Sequence, residues 1–243
     1  MKAMIFAAGM GTRLRPITDN CPKALINVGG KPMLEWIIRR LIKSGFDEIV
    51  INVHHFAGMV TDFIREHDNF GITIHISDEQ EQLLDTGGGL KKAAPFLQDG
   101  PFLVHNVDII CDIDLKQLYQ HHINSNALAT LAVKDRETSR SLLVNRQDRL
   151  CGWRNNTTGE TRLAITGPGL YPTAFSGIHV ISPGLFQLMS EQGVFSIIDV
   201  YLRLASQYFI STFPDKESTW IDVGRKENID EASAVIQSVL DME

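Results

Sequence analysis

A chain of 243 residues, 44% of them hydrophobic, can bury one full core and reads as a single domain spanning residues 1–243. Its formal charge of −6 excludes the broad basic face of a nucleic-acid partner, so anionic ligands must be held by local basic groups and metal. No run approaches the roughly 18 apolar residues of a membrane span, and the apolar residues 1–6 lead to G-T-R-L-R-P where a signal peptide would extend its apolar core.

The first predicted element is a buried strand over residues 2–6, K-A-M-I-F. It runs into residues 7–23, A-A-G-M-G-T-R-L-R-P-I-T-D-N-C-P-K. A helix follows over 32–45, where Leu34, Ile37, Ile38, Leu41 and Ile42 recur at helical spacing. Gly9 and Gly11 carry no Cβ, so the backbone amides around them can approach a phosphate closely. Arg13, Arg15 and Lys23 add positive charge. The loop reads as a polyphosphate cradle. The dinucleotide fingerprint is excluded because Leu14 stands where its third small residue belongs. The Walker pattern is excluded because Leu25 and Pro32 replace its glycine and its Ser or Thr around Gly30-Lys31.

Strands are predicted next over 48–53, 72–76 and 102–107, with helices over 56–67 and 86–97 between them. This alternation implies βαβ crossovers and a mainly parallel sheet, whose ligands sit at the carboxyl ends of the strands. The loop over 7–23 leaves one such end. Residues 77–89, S-D-E-Q-E-Q-L-L-D-T-G-G-G, set three glycines at a helix start, where unpaired amides suit an anion or close approach to a flat ring. The strand over 102–107 delivers Asp108 at its carboxyl end, and Mg²⁺ takes one or two carboxylates together with substrate phosphates. Asp112 and Asp114 are weaker ligand candidates, since Asp114 suits the cap of a helix over 115–122.

A strand over 126–133 and a hairpin, 141–145 with 150–154, form an antiparallel part, followed by a polar, turn-rich loop over 155–169. Gly177 interrupts a strand over 174–180 and lets a ligand or another backbone come close. Helices over 183–189 and 195–206, a strand over 208–213, W-I-D-V-G at 220–224 and an amphipathic helix over 228–240 complete the chain. His54-His55 and His121-His122 are adjacent pairs without chelating geometry and are expected at surfaces or strand ends. Cys21, Cys111 and Cys151 are odd in number, dispersed and without metal-ligand spacing, which suits packing roles in a reduced cytoplasm.

G-M-G-T-R-L-R-P, then P-K-A-L, then G-G-K-P, resembles the signature of the sugar-1-phosphate nucleotidyltransferases, the NDP-sugar pyrophosphorylases. A-A-G and T-G-G-G are similar to the bacterial N-acetylmuramate-1-phosphate uridylyltransferases within that family. The resemblance implies an α/β fold: a Rossmann-like, mainly parallel central sheet flanked by helices, with a small antiparallel sugar-side subdomain. It implies transfer of a nucleotidyl group from an NTP, with UTP favoured, to a sugar 1-phosphate, releasing pyrophosphate with Mg²⁺ as cofactor. By the same resemblance Arg13 and Lys23 are catalytic, and Ala7, Ala8, Gly9, Gly11, Thr12, Gly87 and Gly88 join them in binding nucleotide. Glu81, or Gln80 beside it, reads the base. Asp108 and Asp222 hold the metal, although Val107 stands where the family has a smaller residue. Asn106, Arg154 and Gly177 fall on the sugar-phosphate side, Arg154 being equally readable as an ordinary surface arginine. A cytoplasmic enzyme is implied, monomeric or a small homo-oligomer, with no nucleic-acid or membrane partner. Other readings stay open: use of GTP, CTP or dTTP, a non-sugar phosphate such as phosphocholine, or a non-catalytic nucleotide-sugar-binding regulator.

Overall fold

A computed structural model describes residues 1–240. In chain order the first half comprises β1 (Lys2–Phe6), β2 (Asn27–Val28), β3 (Lys31–Pro32), α1 (Met33–Lys43), β4 (Glu48–Val53), α2 (Ala57–Glu66), β5 (Thr73–Asp78) and α3 (Asp85–Ala93). Then come β6 (Phe102–Asn106), β7 (Ile109–Cys111), α4 (Leu115–Ser125), β8 (Ala129–Lys134), β9 (Arg140–Val144), β10 (Leu150–Asn155) and β11 (Thr161–Leu163). The last elements are β12 (Tyr171–Ile181), α5 (Leu185–Leu188), α6 (Ile197–Leu204), β13 (Ile210–Pro214), β14 (Trp220–Asp222) and α7 (Glu227–Leu240).

The chain forms two compact units. The first contains Met1–Leu84, Val104–Leu115 and the described residues from Ser218 on; the second contains Asp85–Leu103 and Lys116–Glu217. In the first unit the strand order is β6-β1-β4-β5, with β4 parallel to both β1 and β5. Ile49, Val50 and Ile51 are fully buried, as a parallel strand covered on both faces requires. Helix α1 buries Leu34, Ile37, Ile38 and Leu41, and burial of each such side chain stabilises the fold by about 1.5–3 kcal/mol. Trp36 in the same helix donates from Nε1 to the carbonyl of Val28 at 2.7 Å. A separate antiparallel pair, β7 with β14, sets Asp222 opposite Ile109.

The second unit is largely antiparallel. β12 pairs with β8 and β9, β9 with β10, and β10 with β11, while β13 runs parallel to β8. The expected hairpin is β9–β10, closed by Asn145, whose Oδ1 accepts from the amides of Gln147 and Arg149. The predicted loop over 155–169 differs in part: Thr161–Leu163 forms β11 on the open edge of β10. All three residues are exposed, so no apolar alternation marks them, and pairing with the free edge of β10 makes them a strand. The expected helix over 183–189 shortens to the four residues of α5.

His122 corrects the surface expectation for the histidine pairs. It is 2% exposed, with Nδ1 at 2.9 Å from Thr130 Oγ1 and Nε2 at 3.0 Å from Ser182 Oγ. Burial, then the neighbouring His121, pushes its pKa down from 6.5 to about 4. Burial and Arg40 push that of His105 down to about 3. Below pH 6.5 the unfolded chain therefore binds protons at these two sites that the folded chain refuses. Stability is complete above 6.5 and declines as pH falls towards the folded values, by about 2 kcal/mol per histidine at roughly pH 5. Thermal or urea unfolding from neutral to about pH 5 measures this, and His122→Gln is expected to make the decline shallower; an unchanged slope would refute the assignment.

Candidate active site

In the first unit the loop that follows β1 is shaped by its own packing. Gly11 adopts φ +62, and a Cβ there would lie 2.7 Å from Thr18 Cγ2 and 3.1 Å from Lys23 Cβ, so only glycine fits. Its carbonyl accepts from the Leu14 amide at 2.8 Å and from Thr18 Oγ1 at 2.9 Å, and the fully buried Leu14 anchors the turn. Nothing lies within 4 Å of the Cβ position of Gly9, leaving the backbone open to an approaching group. Ala7 and Ala8 are buried, while Gly9, Thr12 and Arg13 are exposed.

Four charged residues predicted from sequence converge here. Lys23, largely buried, directs Nζ to Asp108 Oδ2. Arg13 Nη1 lies 3.9 Å from Asp222 Oδ2. Backbone pairing brings the two aspartates to one place: the Val223 amide donates to the Asp108 carbonyl at 2.8 Å, next to the β7–β14 ladder. The Val107 amide donates to the Phe6 carbonyl at 3.1 Å, which ties Asp108 to the end of β1. Val107 is itself buried at 3% exposure, so its larger side chain is absorbed by packing. Asp222 is held by the Gly224 amide on Oδ1 at 2.7 Å and, through its carbonyl, by Asn228 Nδ2 at 2.6 Å. A Cβ on Gly224 would lie 2.6 Å from Asp222 Oδ1, 2.7 Å from Arg13 Nη2 and 3.2 Å from Lys23 Nζ. Gly224 thus lies among the ends of these charged side chains, a placement that the W-I-D-V-G string alone does not signal.

The donor set suits Mg²⁺. Asp108 and Asp222 offer hard carboxylate oxygens, and among the described residues no group of three His, Cys, Asp or Glu is placed to hold a metal. Two carboxylates, with substrate phosphates and water for the rest, is the usual composition of a magnesium site.

Three remaining predicted residues belong to the first unit's surface or margin. Glu81 is exposed, as is Gln80, whose amide and side chain both bond to Asp78. Asn106 ends β6 and its carbonyl lies 2.8 Å from His105 Nδ1.

In the second unit the free-amide expectation at T-G-G-G is corrected. The amides of Gly87 and Gly88 both donate to the Phe195 carbonyl, at 2.9 and 3.3 Å. Glycine is needed at 87 because a Cβ would come within 2.4 Å of the Phe195 ring. Gly177 adopts φ +76 where the register of β12 on β8 shifts, a bulge rather than a plain strand position. Arg154 is exposed on β10 and donates from Nε to Thr161 Oγ1 at 3.3 Å.

The glycine-bearing loop after β1 thus gathers two basic side chains and two carboxylates beside it, and the chain belongs to the nucleotidyl transferase family, whose model matches residues 2–146. Among curated relatives it is 33% identical over 243 aligned residues to an N-acetylmuramate alpha-1-phosphate uridylyltransferase of Neisseria meningitidis serogroup B, covering 97% of this chain and 98% of that one. A Caulobacter vibrioides protein of the same name is 32% identical, with 91% of each chain covered. The fold is also that of a solved UDP-glucose pyrophosphorylase complexed with UDP-glucose, with TM-score 0.80, 19% identity and 98% of both chains covered. No helix among the described residues is long and apolar enough to cross a membrane.

Proposed function

We propose that this chain, acting over residues 1–243 as one nucleotidyltransferase domain, joins UTP and a sugar 1-phosphate to give a UDP-sugar and pyrophosphate. The convergence of Arg13, Lys23, Asp108 and Asp222 beside the glycine loop carries this reading. The full-length relatives favour uridine and N-acetylmuramate 1-phosphate. A sugar-phosphate oxygen attacks the α-phosphorus in line and the pyrophosphate oxygen leaves. That phosphate is largely ionised near neutral pH, so positioning and charge neutralisation suffice, without a Ser, Cys or His nucleophile.

Each side chain then has a task. The backbone at Gly9 to Thr12 and the Arg13 guanidinium hold the β- and γ-phosphates and neutralise the leaving pyrophosphate. Lys23 supplies a positive charge at the α-phosphate. Asp108 and Asp222 would hold Mg²⁺, which supplies further positive charge against the phosphates. The ion pairs Lys23–Asp108 and Arg13–Asp222 keep both cationic ends in the site before substrate arrives. Glu81 is proposed to contribute at the edge of the base. Asn106, Arg154 and Gly177 are proposed on the sugar-phosphate side. Three cysteines, none in a disulfide, suit a cytoplasmic setting.

Pyrophosphate release is to be measured for UTP, GTP, CTP and dTTP, each with N-acetylmuramate, glucose and mannose 1-phosphates. UTP with N-acetylmuramate 1-phosphate is expected to give the highest kcat/KM. Nucleotide binding without release for any pair would overturn the enzymatic reading.

A further inference from the structure

Glu79 is fully buried, although nothing in the site described above uses it. Its two carboxylate oxygens each accept one hydrogen bond. Oε1 receives Asn52 Nδ2 at 2.7 Å, and Oε2 receives the Leu84 amide at 3.0 Å. Asn52, 3% exposed, turns its own Oδ1 to the Ala7 amide at 2.7 Å. The Glu79 backbone is held as well. Its amide donates to the Val53 carbonyl, its carbonyl accepts from the Gln82 amide, and His54 Nδ1 lies 2.7 Å from that carbonyl. All these residues lie in the first unit.

A fully buried carboxylate costs desolvation energy that an apolar side chain of similar size would not, so it needs another reason to be there. The order of donors and acceptors supplies one. A carboxylate only accepts, so Asn52 must present its NH₂ group to Glu79 and therefore its oxygen to Ala7. Ala7 is the first residue of the phosphate loop, and Leu84 ends the segment 79–84. The geometry points to Glu79 as a positioning residue that, through Asn52, sets the origin of the phosphate loop and pins the 79–84 segment to it. The inference rests on the reading of residues 7–23 as the nucleotide-phosphate cradle, since a displacement of about 1 Å in such a loop can cost about 10²-fold in rate.

The hydrogen-bond order also gives the test. Glu79→Gln sets a donor against a donor at Leu84, at Asn52 or, if the Asn52 amide turns over, at Ala7, and Asn52→Asp sets two carboxylates against each other. Combining Asn52→Asp with Glu79→Gln restores all three bonds. The new side-chain amide at position 79 donates to the new carboxylate at position 52 and accepts from the Leu84 amide, while that carboxylate accepts from the Ala7 amide. Amide hydrogen exchange at Ala7 and Leu84 is followed without nucleotide, and UTP affinity is measured by calorimetry with Mg²⁺. Each single variant is expected to speed exchange at both amides at least about tenfold and to weaken UTP about tenfold. The KM for the sugar 1-phosphate should stay within about twofold, and the double variant should return both readouts to within about threefold of wild type.

Unchanged exchange in Glu79→Gln, a double variant no better than the singles, or an equal rise in the sugar-phosphate KM would overturn the inference. So would failure of both single variants to fold, which would make the pair a determinant of the fold alone. If the wild-type protein binds no UTP, the proposed function fails, while the exchange experiment still decides whether the brace exists.

Discussion

Asp108→Ala is expected to lower Mg²⁺-dependent pyrophosphate release by about 10²–10³-fold or more while the protein remains folded. The variant keeps every backbone contact of the original. The Val223 amide still finds the carbonyl of residue 108, and the β7–β14 ladder does not involve the side chain. What disappears is a carboxylate of the proposed metal set and the partner of the largely buried Lys23. Leaving that ammonium without its counter-charge reduces stability somewhat, because a partly buried charge whose partner is removed keeps its desolvation cost. Activity and stability therefore move by very different amounts. Circular dichroism and thermal unfolding measure one, and pyrophosphate release over a Mg²⁺ titration measures the other. Turnover at the wild-type rate would remove Asp108 from the site.

Gly224→Ala is expected to cost nearly as much activity, for a steric reason. Its added methyl group would meet Asp222 Oδ1 at 2.6 Å, Arg13 Nη2 at 2.7 Å and Lys23 Nζ at 3.2 Å. All three are the far ends of flexible side chains, so the fold can absorb the change cheaply. The atoms that must move are those proposed to neutralise phosphate charge and hold metal. An unfolding midpoint close to wild type with pyrophosphate release reduced about 10²-fold is the expected pair of results. If the variant turns over normally, the three groups are not needed where the structure puts them.

The repeating features of the fold were readable residue by residue. The strand at Lys2–Phe6, the helical spacing of Leu34, Ile37, Ile38 and Leu41, and the apolar run E-I-V-I-N-V carry their periodicity in the sequence itself. The make-up of the loop was equally local, because Gly9, Gly11, Arg13 and Lys23 lie within one short stretch. Less was readable where pairing, not pattern, decides the structure. β11 is exposed throughout and becomes a strand only because β10 has a free edge. The Gly87 and Gly88 amides were expected to be open, yet the distant Phe195 carbonyl takes both. Asn52 left a signal that could have been used: a polar residue near the carboxyl end of a buried strand is rarely idle.

By itself the sequence pointed to the class of chemistry, because the glycines and basic residues over 7–23 read as a phosphate cradle and its motifs resemble those of the sugar-1-phosphate nucleotidyltransferases. It also put two acids forward, Asp108 because it follows an apolar strand and Asp222 because W-I-D-V-G resembles a motif of that family. Only the tertiary structure decided that these acids are neighbours, through one backbone hydrogen bond across 115 residues of chain, from Val223 to Asp108 (223 − 108). It alone revealed that the charged ends of Asp222, Arg13 and Lys23 press around Gly224 and leave no room for a side chain there. It alone turned Glu79 from one acid in a polar run into the buried end of a brace on the phosphate loop. The physical reason is the same each time: local pattern fixes which way a segment folds, while contact between distant segments depends on register and packing that no short window contains.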